Sequence, residues 1–229
     1  MISLKIIEMY TSTEKRDSWL LKSGLLVGIT SLFLLMAGSA SAQEDRIASF
    51  GVKGGANWSN LWVKDVHDNN ARIGFHAGLM GRYAPSDAIG IQLEALYSQK
   101  GATYTQRWGN YERETTLDFE YAEIPLFLVI PMGEVVELHG GGYLGYMLNS
   151  RISIRGDAPD QDILLRTEDF NRLDYGLIGG LGINIGQAQI GGRYVHGLMD
   201  IAGTDGDHIV VRDSKNSVAQ VYLAFAIGR

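Results

Sequence analysis

The stretch "IGIQLEALYSQKG", residues 89–101, puts Ile89, Ile91, Leu93, Ala95 and Tyr97 at every second position and Gln92, Glu94, Ser98 and Lys100 between them. A period of two is that of a β-strand whose successive side chains point to opposite faces. One face is greasy, and the other carries a carboxylate and an ammonium. Whether that polar face meets water or the inside of the protein decides the fold.

The same alternation recurs seven more times. In "ASFGVKGGANW" the residues Phe50, Val52, Ala56 and Trp58 oppose Ser49, Lys53 and Asn57, and in "RIGFHAGLMGRY" Ile73, Phe75, Ala77, Leu79 and Tyr83 oppose Arg72, His76, Met80 and Arg82. The stretch from Leu117 to Ile130 is apolar on both faces near its end, and Ala122, Ile124, Leu126 and Leu128 are assigned outward. In the fifth strand Val136, Leu138, Leu144, Tyr146 and Leu148 oppose Glu137, His139, Tyr143 and Asn149. The sixth, Leu173 to Ile185, has Tyr175, Leu177, Leu181 and Ile183 on its greasy face. The seventh opposes Ile190, Tyr194 and Leu198 to Gln189 and Arg193, and the eighth opposes Val221, Leu223, Phe225 and Ile227 to Gln220, Tyr222 and Ala224. No long helical period intervenes, so the choice lies between a sandwich and a barrel.

The connections favour a barrel. Those after strands two, four and six are tight ("APSDA", "PMGE", "GQA"), whereas those at 59–71, 101–116, 150–171 and 202–216 are long. Loops sorted in this way belong to a meander whose two ends face different surroundings, as in membrane barrels with short turns on one side and long loops on the other. Strands of ten or more residues, at roughly 3.3 Å each, also suit a tilted crossing of the apolar band better than a soluble sheet. The expected fold is therefore all-β, an eight-stranded antiparallel up-and-down transmembrane β-barrel. Its greasy face looks to lipid, and Gln92, Glu94, Ser98 and Lys100 look into the lumen.

The first 42 residues have the pattern of a cleaved signal peptide. Basic Lys15, Arg16 and Lys22 precede the apolar run "GLLVGITSLFLLM", 24–36, and small residues ending in Ala40, Ser41 and Ala42 follow it. The run is short against the roughly 20 residues of a spanning helix. The barrel domain is then 43–229, with strands from about residue 47. Cleavage removes four basic and three acidic residues from totals of 20 and 26, leaving a net charge of −7. A mildly acidic exported chain lacks the clustered Lys and Arg that nucleic acid requires. With no cysteine it has neither disulfides nor a thiolate metal site.

Seven pieces in order, "FGVKGGANWSNL", "GFHAGLMGRY", "IQLEALYSQKGA", "YAEIPLFL", "GGYLGYML", "DYGLIGGLGI" and "RYVHGLMDI", resemble the successive strands of the PorT-like outer-membrane β-barrel domain of Bacteroidetes. The resemblance spans essentially the whole mature chain. It implies an eight-stranded outer-membrane barrel without cofactor and, for most members, without an assigned biochemical activity. An accessory role in protein secretion follows from the family's namesake alone. One departure is the terminus, where Ala226, Ile227, Gly228 and Arg229 stand in place of a final aromatic residue and Phe225 is the nearest ring.

The candidate site is a lumen charge cluster, structural or gating, of Lys53, Arg82, Glu94, Glu123 and Arg193. An eight-stranded barrel is narrow enough for side chains to fill it, and charges held there must pair. His76, His139 and Ser98 share that face, but no GxSxG or HExxH spacing accompanies them, so no catalytic set is assigned. The acidic pairs around Asp65, His67 and Asp68 and at Asp205 and Asp207 lack the spacing of a calcium loop and read as solvated charge. The glycines of "GGLGIN" precede no helix and read as barrel geometry rather than a phosphate cradle. Trp58, Tyr83, Tyr97, Tyr146, Tyr175 and Tyr194 sit near strand ends on the greasy face, as a membrane-interface girdle requires. The expectation is a monomeric, non-catalytic outer-membrane protein with no cofactor or metal and both termini periplasmic. Its partners are the surrounding lipid and an external ligand or protein at the long loops. A narrow pore or secretion accessory is the alternative, and a lipid-modifying enzyme stands behind both.

Overall fold

The computed structural model describes residues 48–62, 69–108, 111–156, 161–164, 171–200 and 215–228. The leader assigned to 1–42 and the acidic pairs at 65–68 and 205–207 lie outside the described residues. Nine strands are described: β1 (Ala48–Trp62), β2 (Asn69–Ser86), β3 (Ile89–Trp108), β4 (Tyr111–Met132), β5 (Val136–Gly156), β6 (Gln161–Leu164), β7 (Leu173–Ile185), β8 (Ala188–Gly197) and β9 (Lys215–Gly228). Eight of them form one ring of antiparallel neighbours, β4–β3–β2–β1–β9–β8–β7–β5, closed by the pairing of β5 with β4. The four-residue β6 stands outside the ring and pairs with the far end of β5, Ile152 opposite Ile163.

Alternation holds along the wall. Leu79, Leu126, Leu177, Leu181, Val221 and Leu223 are exposed on the outside, whereas Lys53, Gln92, Glu94, Tyr121, Phe127 and Tyr222 are buried inside. A soluble protein does not expose large apolar side chains on all eight strands of a ring; a lipid-facing wall does. The facing of β4, ambiguous by period, follows the same rule, with Leu126 and Leu128 outward and Glu123 inward. Tight turns join β2 to β3, β4 to β5 and β7 to β8. The last is closed by Gly186 at φ 61°, a left-handed conformation that glycine adopts without steric cost.

Two details correct the sequence-based expectations. The predicted loops are shorter because the strands run on: β1 reaches Trp62, β3 reaches Trp108, β4 begins at Tyr111 and β5 reaches Gly156. Most of 101–116 is therefore strand, read as loop because the greasy-outward pattern stops there. Asn149 also leaves the lumen face. β4 residues Glu120 and Tyr121 pair with Asn149 and Met147, so Leu148 is an extra, bulged residue and the alternation beyond it shifts by one. Ser150, not Asn149, is the buried residue of that turn of the pleat.

Candidate functional site in the barrel lumen

The barrel closes on its own polar side chains, and three groups of charge fill it, two of them joined through Gln92. At the centre, Glu94 on β3 accepts from Lys53 Nζ on β1 at 2.8 Å and from Arg193 Nη1 on β8 at 2.8 Å. Lys53 also lies 3.5 Å from the centre of the Tyr222 ring, and Arg193 Nε donates to Gln220 Oε1 at 2.5 Å. The side chains of Lys53 and Glu94 are 0 % exposed. A buried carboxylate is tolerated here because two cations and an amide, Gln92 Nε2 at 2.8 Å, occupy its lone pairs.

Towards the short-turn end, Arg82 on β2 makes a forked pair with Glu137 on β5, Nη1 to Oε2 at 2.9 Å and Nη2 to Oε1 at 2.6 Å. Its other donors reach Gln92 Oε1. Glu137 also accepts from Asn184 Nδ2 at 2.9 Å and Gln189 Nε2 at 2.5 Å, and His139 Nε2 lies 2.7 Å from it. Gln92 thus bridges the two groups, its oxygen on Arg82 and its nitrogen on Glu94.

Towards the long-loop end, Lys100 on β3 sits between Glu123 Oε1 at 2.5 Å and Asp174 Oδ2 at 3.2 Å. Tyr143 Oη and Asn216 Nδ2 donate to the same Asp174 oxygen at 2.9 and 2.8 Å. Beyond Lys100 the interior turns apolar, with Ala102, Leu117 and Phe119 buried.

The five predicted residues therefore do not form one cluster. Lys53, Glu94 and Arg193 meet directly, Arg82 pairs with Glu137 instead of Glu94, and Glu123 belongs to the Lys100 group. Glu137, Lys100 and Asp174 complete the set, giving four cations and four carboxylates among the described lumen residues. All three lie on polar faces that the alternation itself marks: Lys100 follows Ser98, Glu137 precedes His139, and Asp174 stands between outward Leu173 and Tyr175.

A second constellation joins Asn57, His76 and Ser98. His76 Nδ1 lies 2.7 Å from Asn57 Oδ1, an acceptor, so this nitrogen carries the proton. Ser98 Oγ, however, accepts from Asn57 Nδ2 at 3.1 Å, and His76 Nε2 has no hydrogen-bond partner. The bond from nucleophile to base that hydroxyl activation needs is not made. Gln220 Nε2 donates to Asn57 Oδ1 at 2.8 Å and ties these residues into the central network.

A closed ring with an apolar outside and an ion-paired inside defines a transmembrane β-barrel of the outer-membrane class. Residues 41–203 match the family model described as outer membrane protein beta-barrel domain. The chain belongs to that family, and its place is the outer membrane. No curated protein matches it. Among solved structures it is similar to the attachment invasion locus protein Ail of Yersinia pestis, with 15 % identity over 79 % of this chain and 99 % of that one and a TM-score of 0.43. It is also similar to Neisserial surface protein A, with 12 % identity over 78 % and 97 % and a TM-score of 0.45. A third similarity is to OprG of Pseudomonas aeruginosa, with 16 % identity over 80 % and 95 % and a TM-score of 0.32.

Proposed function

We propose that this chain is a non-catalytic barrel whose lumen is a filled polar core and which serves envelope structure or surface contact through its long-loop end. In this reading the short turns and both ends of the barrel domain face the periplasm, and β3, β4, β5 and β6 project outside the cell. The observation that carries it is the closure at Glu94: three strands send charged side chains to one point, and the side chains of Lys53 and Glu94 are fully buried there. Ion conduction needs a wetted path, and paired side chains occupy the place where one would run. That Ser98 Oγ and His76 Nδ1 both bond to Asn57 rather than to each other supports the non-catalytic part.

Conductance of the refolded protein in a planar bilayer tests the closed lumen: the expected trace stays at the bare-membrane level, and sustained unitary currents would sink it in favour of a narrow pore. Orientation is tested by cysteines at Asn69 and Asp87 and a membrane-impermeant thiol reagent on whole cells. The first should label and the second should not; the reverse pattern inverts the barrel.

A further inference from the structure

Outside the lumen, a cavity of about 210 Å³ opens among Arg72, Gln99, Asp118, Glu120, Asn149 and Arg151. A single ordered water needs only about 10–15 Å³, so this is space for a larger polar group. Its residues occupy two adjacent rungs of the wall, Gln99–Glu120–Asn149 and Gly101–Asp118–Arg151. The rung before them is Tyr97–Ala122–Tyr146, where the greasy outer face ends. The cavity therefore sits one step beyond the aromatic belt, at the depth where lipid headgroups begin.

Its construction is specific. Arg72 crosses from β2 to pair with Asp118 on β4, and it can do so because position 101 is glycine: a Cβ there would lie 2.9 Å from Arg72 Cδ and 1.9 Å from Leu117 O. Gly101 also has φ 155°, which side-chain-bearing residues rarely adopt. Arg72 Nη1 is buried without a hydrogen-bond partner, an expensive state for a guanidinium donor. The bulge at Leu148 turns Asn149 and Arg151 to this side.

We propose that this cavity is a subsite for the phosphorylated sugar headgroup of a glycolipid in the surrounding leaflet. A bare phosphate would meet two carboxylates, and a bare cation would meet two guanidinium groups. A sugar offers donors and acceptors together. Its hydroxyls donate to Asp118 and Glu120, accept from Arg72 Nη1 and do both with the amides of Gln99 and Asn149. Its phosphate finds the exposed Arg151 fork, which matches phosphate oxygens two at a time. The depth of the site makes the occupant a tethered headgroup rather than a solute.

The test uses the full barrel domain refolded in bilayers carrying diphosphorylated lipid A in both leaflets, so that its outcome is independent of the orientation proposed above. Native mass spectrometry after mild detergent extraction counts retained lipid A. The expected result is one tightly held molecule, reduced about tenfold in Glu120→Ala/Arg151→Ala and unchanged in Arg155→Ala, an exposed arginine outside the cavity. Glucosamine 1-phosphate should displace it and inorganic phosphate should not. Equal retention by the double variant, equal loss in Arg155→Ala, or displacement by inorganic phosphate alone each overturns the assignment, as does retention of no lipid A by the wild type. Binding of free glucosamine 1-phosphate as tightly as lipid A would overturn the tethered occupant.

Discussion

The wall from Ile89 to Tyr97 and its continuation from Gln99 to Trp108 belong to one strand, β3, yet they are dressed in opposite ways. In the first part leucine and isoleucine face out while Gln92 and Glu94 are sealed inside. In the second the outer rungs hold Gln99 beside Glu120 and Thr103 beside Thr116, while Ala102 and, on β4, Leu117 and Phe119 are buried on the inner side. On the β4 side the ladder runs on without a break from Leu96 to Trp108, whereas on the β2 side it shifts register between Ser98 and Ala102. Only the outer solvent changes, and side-chain polarity reverses with it. The apolar part covers eight steps, roughly 26 Å along the strand at about 3.3 Å each. What lies past the tyrosine rung is a water-exposed sheet grown from a membrane wall.

The largest expected effect tests the inner charges of the first region. Glu94→Ala leaves Lys53 and Arg193 buried without their carboxylate and should cost about 3–5 kcal/mol in denaturant titration from lipid vesicles. Stabilisation instead would mean that position 94 faces lipid. Adding Lys53→Ala should return part of the loss, and adding Arg82→Ala should deepen it, because Arg82 pairs with Glu137.

Next comes the outer face. Leu126→Arg puts a charge against the hydrocarbon and should cost about 2–4 kcal/mol in the same titration, and a neutral result would take Leu126 out of the membrane. Arg82→Lys keeps the charge but loses the fork on Glu137, with an expected loss of about 1.5–3 kcal/mol. An unchanged midpoint would show that the second guanidinium nitrogen contributes nothing. The smallest effect belongs to the continuation: Thr116→Arg, outward but past the tyrosine rung, should lie within about 0.5 kcal/mol of wild type. A loss as large as that of Leu126→Arg would erase the boundary between the regions.

The membrane wall was legible because a fixed outer solvent makes period two visible on all eight ring strands. Residues 101–116 look like loop in the sequence because the outer positions there are polar and the apolar side chains lie inside. The lumen residues could be read, but their partners could not. Glu94 meets Lys53 two strands away and Arg193 on β8, and Arg82 meets Glu137 on β5. Such pairs cross the lumen, so they depend on ring closure and stagger, which no local period records. The bulge at Leu148 was hidden for a related reason: one inserted residue shifts facing without changing composition.

Ring closure also bears on how the molecule is made. β1 pairs with β9, so the first and last strands of the barrel meet only when the whole chain has arrived. Until then Glu94 and Lys53 have no Arg193, a residue 99 positions further along than Glu94. Long-range pairing of this kind is slow to nucleate, and an unpaired lysine or glutamate in hydrocarbon is costly. A half-inserted sheet would therefore hold its charges without their partners. The same ion pairs that brace the finished barrel make partial assembly unprofitable, so insertion and closure are expected to behave as one cooperative event.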